Sequence, residues 1–433
     1  MTDATRFSTT LRDHARKTIE RLRYADIVIG IPSYYSGSSI VHVIQTVAEG
    51  LERFYPEAKS VIFVADGGST DDTRETANLV QIHSYQIKKI VTIYRGVPGK
   101  GSGLRAAFEV ANFLRARAVA VFDSDLVSIK PEWVRNVLDP VFKGYDFVAP
   151  LYRRYKLDGT ITNTIAYNLT RALYGQRVRQ PIGGDFGISQ RLAKHYFDQD
   201  VWETDVARFG IDVWMTTTAV VGGFKLCQAR LGVKVHGEKD PGADLGPMFR
   251  QVVGTIFQLM ETNAGHWQKV RRSHDVPVVG EELEQEPAPF EIDQEGLIDY
   301  FRTGWANFSG VWQRIVEPKD LEVIRGLAAV QQTRVRHILI KVSEIVSENE
   351  ARHKLEGLYE RIRHGEKFAE LARVHSQDGS ATKGGDLGWI YPGDTVPEFE
   401  RAMDELKPGE VSRPVKSPFG FHLIEVLERR VQD

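Results

Sequence analysis

From residue 26 the chain alternates between two hydrophobic periods. Continuous apolar runs at 26–31, 60–65, 90–94 and 118–122 have the length and branched composition of strands buried on both faces. Between them, over 40–54, 73–80 and 104–114, apolar residues recur at helical spacing. A helix opening at Pro131 and a strand over 147–149 continue the series. Strands separated by helices predict an α/β fold with a mostly parallel, doubly wound sheet. In such sheets ligands bind beyond the carboxyl ends of the strands, and those ends carry Pro32, Asp66, Arg95 and Asp123.

Past Pro150 the pattern is more helical, with helices expected over 164–174, 211–221 and 245–261 and one strand over 225–231. Residues 273–293 are acidic and contain proline, which predicts an exposed loop. Short helices follow, whose Trp305 and Trp312 read as packing residues. A connecting helix over 317–332 leads into a second compact pattern. There, strands over 335–342 and 420–427 enclose helices, as in a small α+β domain. The expected division is a first domain over 1–317, helical from about 262, a linker over 318–332 and a second domain over 333–433.

The 433 residues, 42% of them hydrophobic, suffice for two or three cores. A net charge of -2 gives no general attraction for nucleic acid or anionic membrane, so any phosphate binding has to be local. The single cysteine, Cys227, excludes an internal disulfide. Residues 1–23 are charged throughout and lack the apolar core of a signal peptide, and no apolar run is long enough to span a bilayer. A cytoplasmic location is the expectation, and a homo-oligomer is compatible with it.

The chemistry starts at VFDSDL. If the strand stays extended through it, Asp123 and Asp125, either side of Ser124, lie on one face. They could then aim at one hard cation, Mg2+ or Mn2+, which also takes phosphate oxygens. The plain alternative is a pair of aspartates closing a turn. In VADGGSTDD, Asp66 ends a strand and could accept from a base or ribose. In RGVPGKGSG, Gly99 and Gly101 flank Lys100 at a helix start, an arrangement that offers amides and an ammonium to phosphate. It is not a Walker loop, because glycine follows the lysine. His236, leaving an apolar strand, is either a third ligand or a surface histidine.

Taken in order, IPSYY, VADGGSTDDT, YRGVPGKGSG, VFDSDL, PIGGDFG, RFGID and VKVH resemble the GT-A glycosyltransferases. The likeness is to the branch containing mannosylglycerate and glucosyl-3-phosphoglycerate synthases. The resemblance implies a retaining transfer of sugar from a nucleoside diphosphate sugar to a small hydroxy acid, glycerate or its phosphate. By it, Pro32, Asp66, Lys100, Asp123 and Ser124 hold the nucleotide, and Asp123, Asp125 and His236 hold the metal. Arg153, Arg154, Thr162 and Gly184 hold the acceptor, arginines being suited to carboxylate or phosphate. Asp185 and Asp212 are the catalytic carboxylates and stand where those enzymes usually carry glutamate. An inverting enzyme would instead use a carboxylate as base on the acceptor hydroxyl.

The tail segments RVRHILIKV, FAELARVHSQDGSATKGGDLGWI, VPEFERA and VKSPFGFHLIEVLERR resemble a parvulin prolyl isomerase. The resemblance implies a polar cluster of His337, Asp378 and His422, a proline pocket lined by Phe399 and Phe419, and prolyl peptide segments as partners. Thr395 stands where many parvulins carry a large apolar residue. The alternative is an inactive fold kept for peptide binding, part of a chaperone-like protein with a decayed transferase.

Overall fold

A computed structural model describes residues 9–155, 158–235, 241–281, 287, 294–328, 330–343, 346–391 and 394–432. By its contacts the chain divides into two units, 1–292 and 293–433.

In the first unit the strands are Ile27–Ser33 (β1), Ser60–Asp66 (β2), Ile87–Ile93 (β3), Ala118–Val121 (β4), Phe147–Arg153 (β5), Phe186–Ser189 (β6), Leu226–Val233 (β7) and Val278–Val279 (β8). They form one sheet in the order β8-β7-β5-β6-β4-β1-β2-β3. All neighbours are parallel except β6, which runs antiparallel to both β4 and β5. Strand alternation sends Val28, Phe63, Val119 and Val121 to one face, against helix Lys100–Phe113. Ile27, Ile29, Ile62 and Ala120 go to the other face, against helices Ile40–Phe54 and Pro131–Phe142. Each fully buried Ile, Val or Phe contributes about 1.5–3 kcal/mol.

The direction of winding reverses between β1 and β4, which opens a crevice at their carboxyl ends. Register places Gly30 opposite Val121 and Ser33 opposite Asp66, so Asp123 emerges level with Pro32 and near Asp66.

Several boundaries differ from the pattern-based reading. β4 ends at Val121 and residues 124–125 form a turn, so the extended chain assumed through Asp125 is absent, and with it the shared-face argument for the two aspartates. The turn is set by Ser124, whose hydroxyl pairs with Ser36 Oγ at 2.7 Å and whose carbonyl accepts from Ser39 Oγ at 2.8 Å. β6 was not anticipated, being four residues long with a glycine inside. The charged N-terminal stretch contains helix Asp13–Leu22, which buries Ala15 and Ile19. The expected loop over 273–293 includes β8 at the sheet edge.

In the second unit, one helix, Gln294–Ile315, replaces the short helices expected there, and its Trp305 and Trp312 are half-buried rather than core. Helix Pro318–Ala328 follows, and the first strand of the tail starts at 330. The tail sheet consists of Val330–Ile340 (β9), Asp386–Ile390 (β10), Val415–Ser417 (β11) and Gly420–Gln432 (β12), antiparallel in the order β10-β9-β12-β11. Ile338, Ile340 and Leu423 pack against helices Glu348–Arg363 and Phe368–His375. Val335, Ile424 and Val426 pack against helix Pro397–Glu405 on the other side.

Candidate functional site

A buried cluster of two lysines and three aspartates stands at the crevice. Lys100, at the start of its helix, places Nζ 2.7 Å from Asp123 Oδ1 and 3.0 Å from Asp212 Oδ2. Lys234, just beyond β7, donates from Nζ to Asp123 Oδ2 at 3.0 Å, to Asp185 Oδ2 at 2.8 Å and to the Gly183 carbonyl at 2.9 Å. Asp185 also accepts from the Asp123 amide at 2.9 Å and from the Tyr152 hydroxyl. With all groups ionised, the lysines leave one carboxylate charge uncompensated. Burial alone would raise the Asp123 carboxyl, but Lys100 and Lys234 outweigh it and hold it far below the usual range. Burial pushes Asp185 and Asp212 up, and the charge of Asp123 adds to the effect. Asp212 Oδ1 is buried with no hydrogen-bond partner.

The sequence-derived residues meet here only in part. Asp123, Asp185, Asp212 and Lys100 converge, and Gly184 adjoins them. Lys100 pairs with carboxylates, and the amides expected to face phosphate are used internally. The Gly99 amide donates to the Tyr94 hydroxyl at 2.9 Å and the Gly101 amide to the Arg208 carbonyl at 3.2 Å. Gly101 is glycine because a Cβ would run into the Val206 carbonyl, so the loop is shaped by the backbone packed on it.

Asp66 is fully buried and organises its own turn, accepting from the amides of Gly68 at 2.9 Å and Ser69 at 2.8 Å and from Ser69 Oγ at 2.6 Å. Pro32 is half-buried beside it on β1. Asp125 is half-buried in the turn after Asp123. Arg153 ends β5, and Arg154 Nε lies 3.5 Å from Asp158 Oδ2. Thr162 is buried at the start of a π-helical turn, Thr162–Ala166. Arg95 leaves the crevice to pair with Asp13 at 3.1 Å. His236 lies outside the described residues.

Sequence reasoning missed Lys234 and Tyr152. The signal was there in VKVH, where an ammonium precedes the histidine by two residues, but a lysine after a strand has no distinguishing spacing.

Gly184 sits at φ +92, where side chains are strained, and a Cβ would collide with Asp123 Oδ2 and stand 3.0 Å from Lys234 Nζ. Gly184→Ala is expected to cost on the order of 3 kcal/mol through backbone strain and overpacking. Urea unfolding of the variant beside the parent measures it, and coincident midpoints would contradict the crowding.

The donor set was tested against a divalent cation. Both Asp123 oxygens are held by ammonium groups, and among the described residues no group of three metal-ligating side chains occurs. Asp125 offers carboxylate oxygens, which suit Mg2+ or Mn2+ completed by phosphate and water.

In the second unit, cross-strand pairing puts His337 opposite Ile424 and His422 opposite Leu339, so the two histidines are diagonal neighbours on one face. Their Nδ1 atoms are 3.1 Å apart. His337 Nε2 lies 3.1 Å from Asp378 Oδ1, and His422 Nε2 is 2.6 Å from Ser417 Oγ. Burial opposes the ionisation of Asp378, yet the Ser380 hydroxyl and amide and then His337 hold it below the usual carboxylate range. Phe399 is buried edge-on to both imidazoles, with centroids 5.7 and 5.4 Å away. Phe419, between β11 and β12, is 61% exposed. Thr395 has a buried hydroxyl without a hydrogen-bond partner.

Comparison with known proteins separates the same two parts. Residues 28–199 match the family model "Glycosyl transferase family 2", and residues 321–430 match "PPIC-type PPIASE domain". The Chaperone SurA of Thiobacillus denitrificans is 68% identical over 125 residues, 29% of this chain and 29% of that protein. The chain thus spans under a third of that relative's length. A solved structure of glucosyl-3-phosphoglycerate synthase from Mycobacterium tuberculosis, in complex with Mn2+, UDP and glucosyl-3-phosphoglycerate, is 24% identical with a TM-score of 0.44. The match covers 56% of this chain and 83% of that one. A PpiC-type peptidyl-prolyl cis-trans isomerase domain is 25% identical with a TM-score of 0.23, covering 24% of this chain and 94% of that one.

Proposed function

We propose that this chain, which joins a glycosyl transferase family 2 domain of GT-A fold to a PPIC-type isomerase domain, transfers a sugar from a nucleoside diphosphate sugar to a small hydroxy acid such as glycerate or 3-phosphoglycerate. Its second domain accelerates prolyl cis/trans exchange. The observation that carries the transferase reading is the buried Lys100–Asp123–Lys234–Asp185 chain at the switch point of the sheet.

An incoming diphosphate competes with Asp123 and Asp212 for the Lys100 ammonium, which can then bind the phosphate charge. Lys234 remains against Asp185 and fixes the floor under Gly184. Arg153, Arg154 and Thr162 are assigned to the acceptor's carboxylate or phosphate. Asp125, with His236 and Asp123, would hold Mg2+ or Mn2+, which when bound neutralises charge on the departing diphosphate.

Retention suits a site in which both Asp185 oxygens are held by donors. Inversion has one observation in its favour, the unpartnered Asp212 Oδ1, which could serve as the base on an acceptor hydroxyl. Proton NMR of the anomeric product separates the two.

In the second domain, Phe399 beside the paired imidazoles forms an apolar wall. There a twisted prolyl amide loses water, which lowers the ~18–20 kcal/mol rotation barrier. Peptide binding without catalysis is favoured only by the polar Thr395 near that wall.

The test is incubation of the purified chain with UDP-, GDP- and ADP-sugars, Mn2+ and either acceptor. Release of nucleoside diphosphate, rather than pyrophosphate, is expected. Asp125→Ala should lower that release by roughly 10²–10³-fold while prolyl exchange stays at the parent rate. Parent-rate transfer by folded Asp125→Ala, with chelator present, would remove the metal assignment.

A further inference from the structure

At the carboxyl end of β1, Tyr34 and Tyr35 expose 62% and 52% of their surface at the mouth of the crevice. Successive side chains in extended backbone point to opposite faces, yet these ring centroids are 4.5 Å apart, edge to face at 77°. The cause is the backbone of Tyr35, which adopts φ +49. A bulky residue rarely sits in the left-handed region. Among the described residues only two other non-glycine residues do so, Arg23 and Arg115, and both directly follow helix ends. Tyr35 closes no helix.

Its conformation is held from outside. The Tyr35 amide donates to Ser69 Oγ at 3.0 Å and its hydroxyl pairs with Thr70 Oγ1 at 2.7 Å. Ser69 in turn donates to Asp66 at 2.6 Å, so the buried carboxylate at the end of β2 braces the tyrosine turn on β1. The Tyr34 ring lies over Gly67, where a Cβ would stand 3.2 Å from Tyr34 Cδ2. Strain of this kind persists where the surroundings over-determine it, and it is concentrated at ligand sites.

We infer that Tyr34 is the stacking platform for the base of the nucleotide, backed edge-on by the strained Tyr35, and that Asp66 acts through Ser69 to hold this pair. The inference rests on the nucleotide-sugar reading above and specifies the base subsite within it. An exposed aromatic face tolerates any base, so it supplies affinity for the nucleoside and leaves selection among bases to other groups.

Binding of UDP, GDP and ADP to the full chain, with Mg2+, is measured by titration calorimetry, with inorganic pyrophosphate as a ligand that has no base. Tyr34→Ala should weaken nucleoside diphosphate binding roughly tenfold to a hundredfold and leave pyrophosphate binding unchanged, while Tyr34→Phe binds like the parent. Tyr35→Gly should melt no lower than the parent, since glycine takes φ +49 without strain, yet bind the nucleotide more weakly. Parent affinity in Tyr34→Ala, or an equal loss for pyrophosphate, overturns the platform while leaving the transferase reading in place. A parent that binds none of the three nucleotides overturns both.

Discussion

Lys234→Met is expected to lower the stability of the first unit by about 3–5 kcal/mol at neutral pH and to reduce sugar transfer by roughly 10²–10³-fold. The lysine side chain is nearly inaccessible and its ammonium touches two carboxylates that water cannot reach. Removing it leaves Asp185 without a cation and Asp123 with Lys100 alone. An uncompensated buried charge costs far more than an exposed one, which is why the effect exceeds that of any surface ion pair. The pH dependence gives the sign. In the parent, the Asp123 carboxyl is held below its unfolded value of 3.8, so its contribution is present above that value and is lost as pH falls towards the folded one. In the variant the carboxylates gain protons more readily, so the gap between parent and variant should narrow from pH 7 to pH 5. Urea unfolding at both values, with prolyl exchange as an internal control for the second unit, measures it. Equal midpoints at pH 7 would show that the cluster is not held by this charge.

The layered first unit was legible because its strands are buried on both faces and its helices on one, patterns that local sequence carries directly. The switch point followed from that order, so Asp66, Asp123 and the loop at Lys100 were found as strand-end residues. What the pattern could not carry is pairing across distance. Lys234 and Asp123 are 111 residues apart, and neither spacing nor composition links them. The turn at Asp125 was misread for a related reason. Its conformation is fixed by Ser36 and Ser39 from another strand end, not by the local sequence. In the tail, by contrast, His337 and His422 lie on two strands whose alternation predicts a common face, so the pair could be read in advance.

Acidification should unfold the second unit before the carboxylates titrate, and His422 should be the main cause. Burial first, and then the neighbouring His337, push its imidazole down to about 4, against an ordinary value of 6.5, with Asp378 opposing. The geometry has the same sense. The two Nδ1 atoms are 3.1 Å apart, room for one hydrogen, so protonating both rings would set two hydrogens against each other. Between pH 6.5 and pH 4 the unfolded chain therefore carries more protons than the folded one, and stability falls with pH by up to about 3 kcal/mol. His422→Leu removes the titrating ring. At pH 7 it should be less stable than the parent, because Ser417 Oγ loses its 2.6 Å partner and the imidazole stack is broken. By pH 4.5 the difference should shrink or reverse, since the leucine variant carries no penalty for excluding a proton. Calorimetric melting of the full chain at pH 7, 5.5 and 4.5, following the transition that His422→Leu shifts, reads the effect. A variant that loses as much stability as the parent over that interval would place the acid sensitivity in another group.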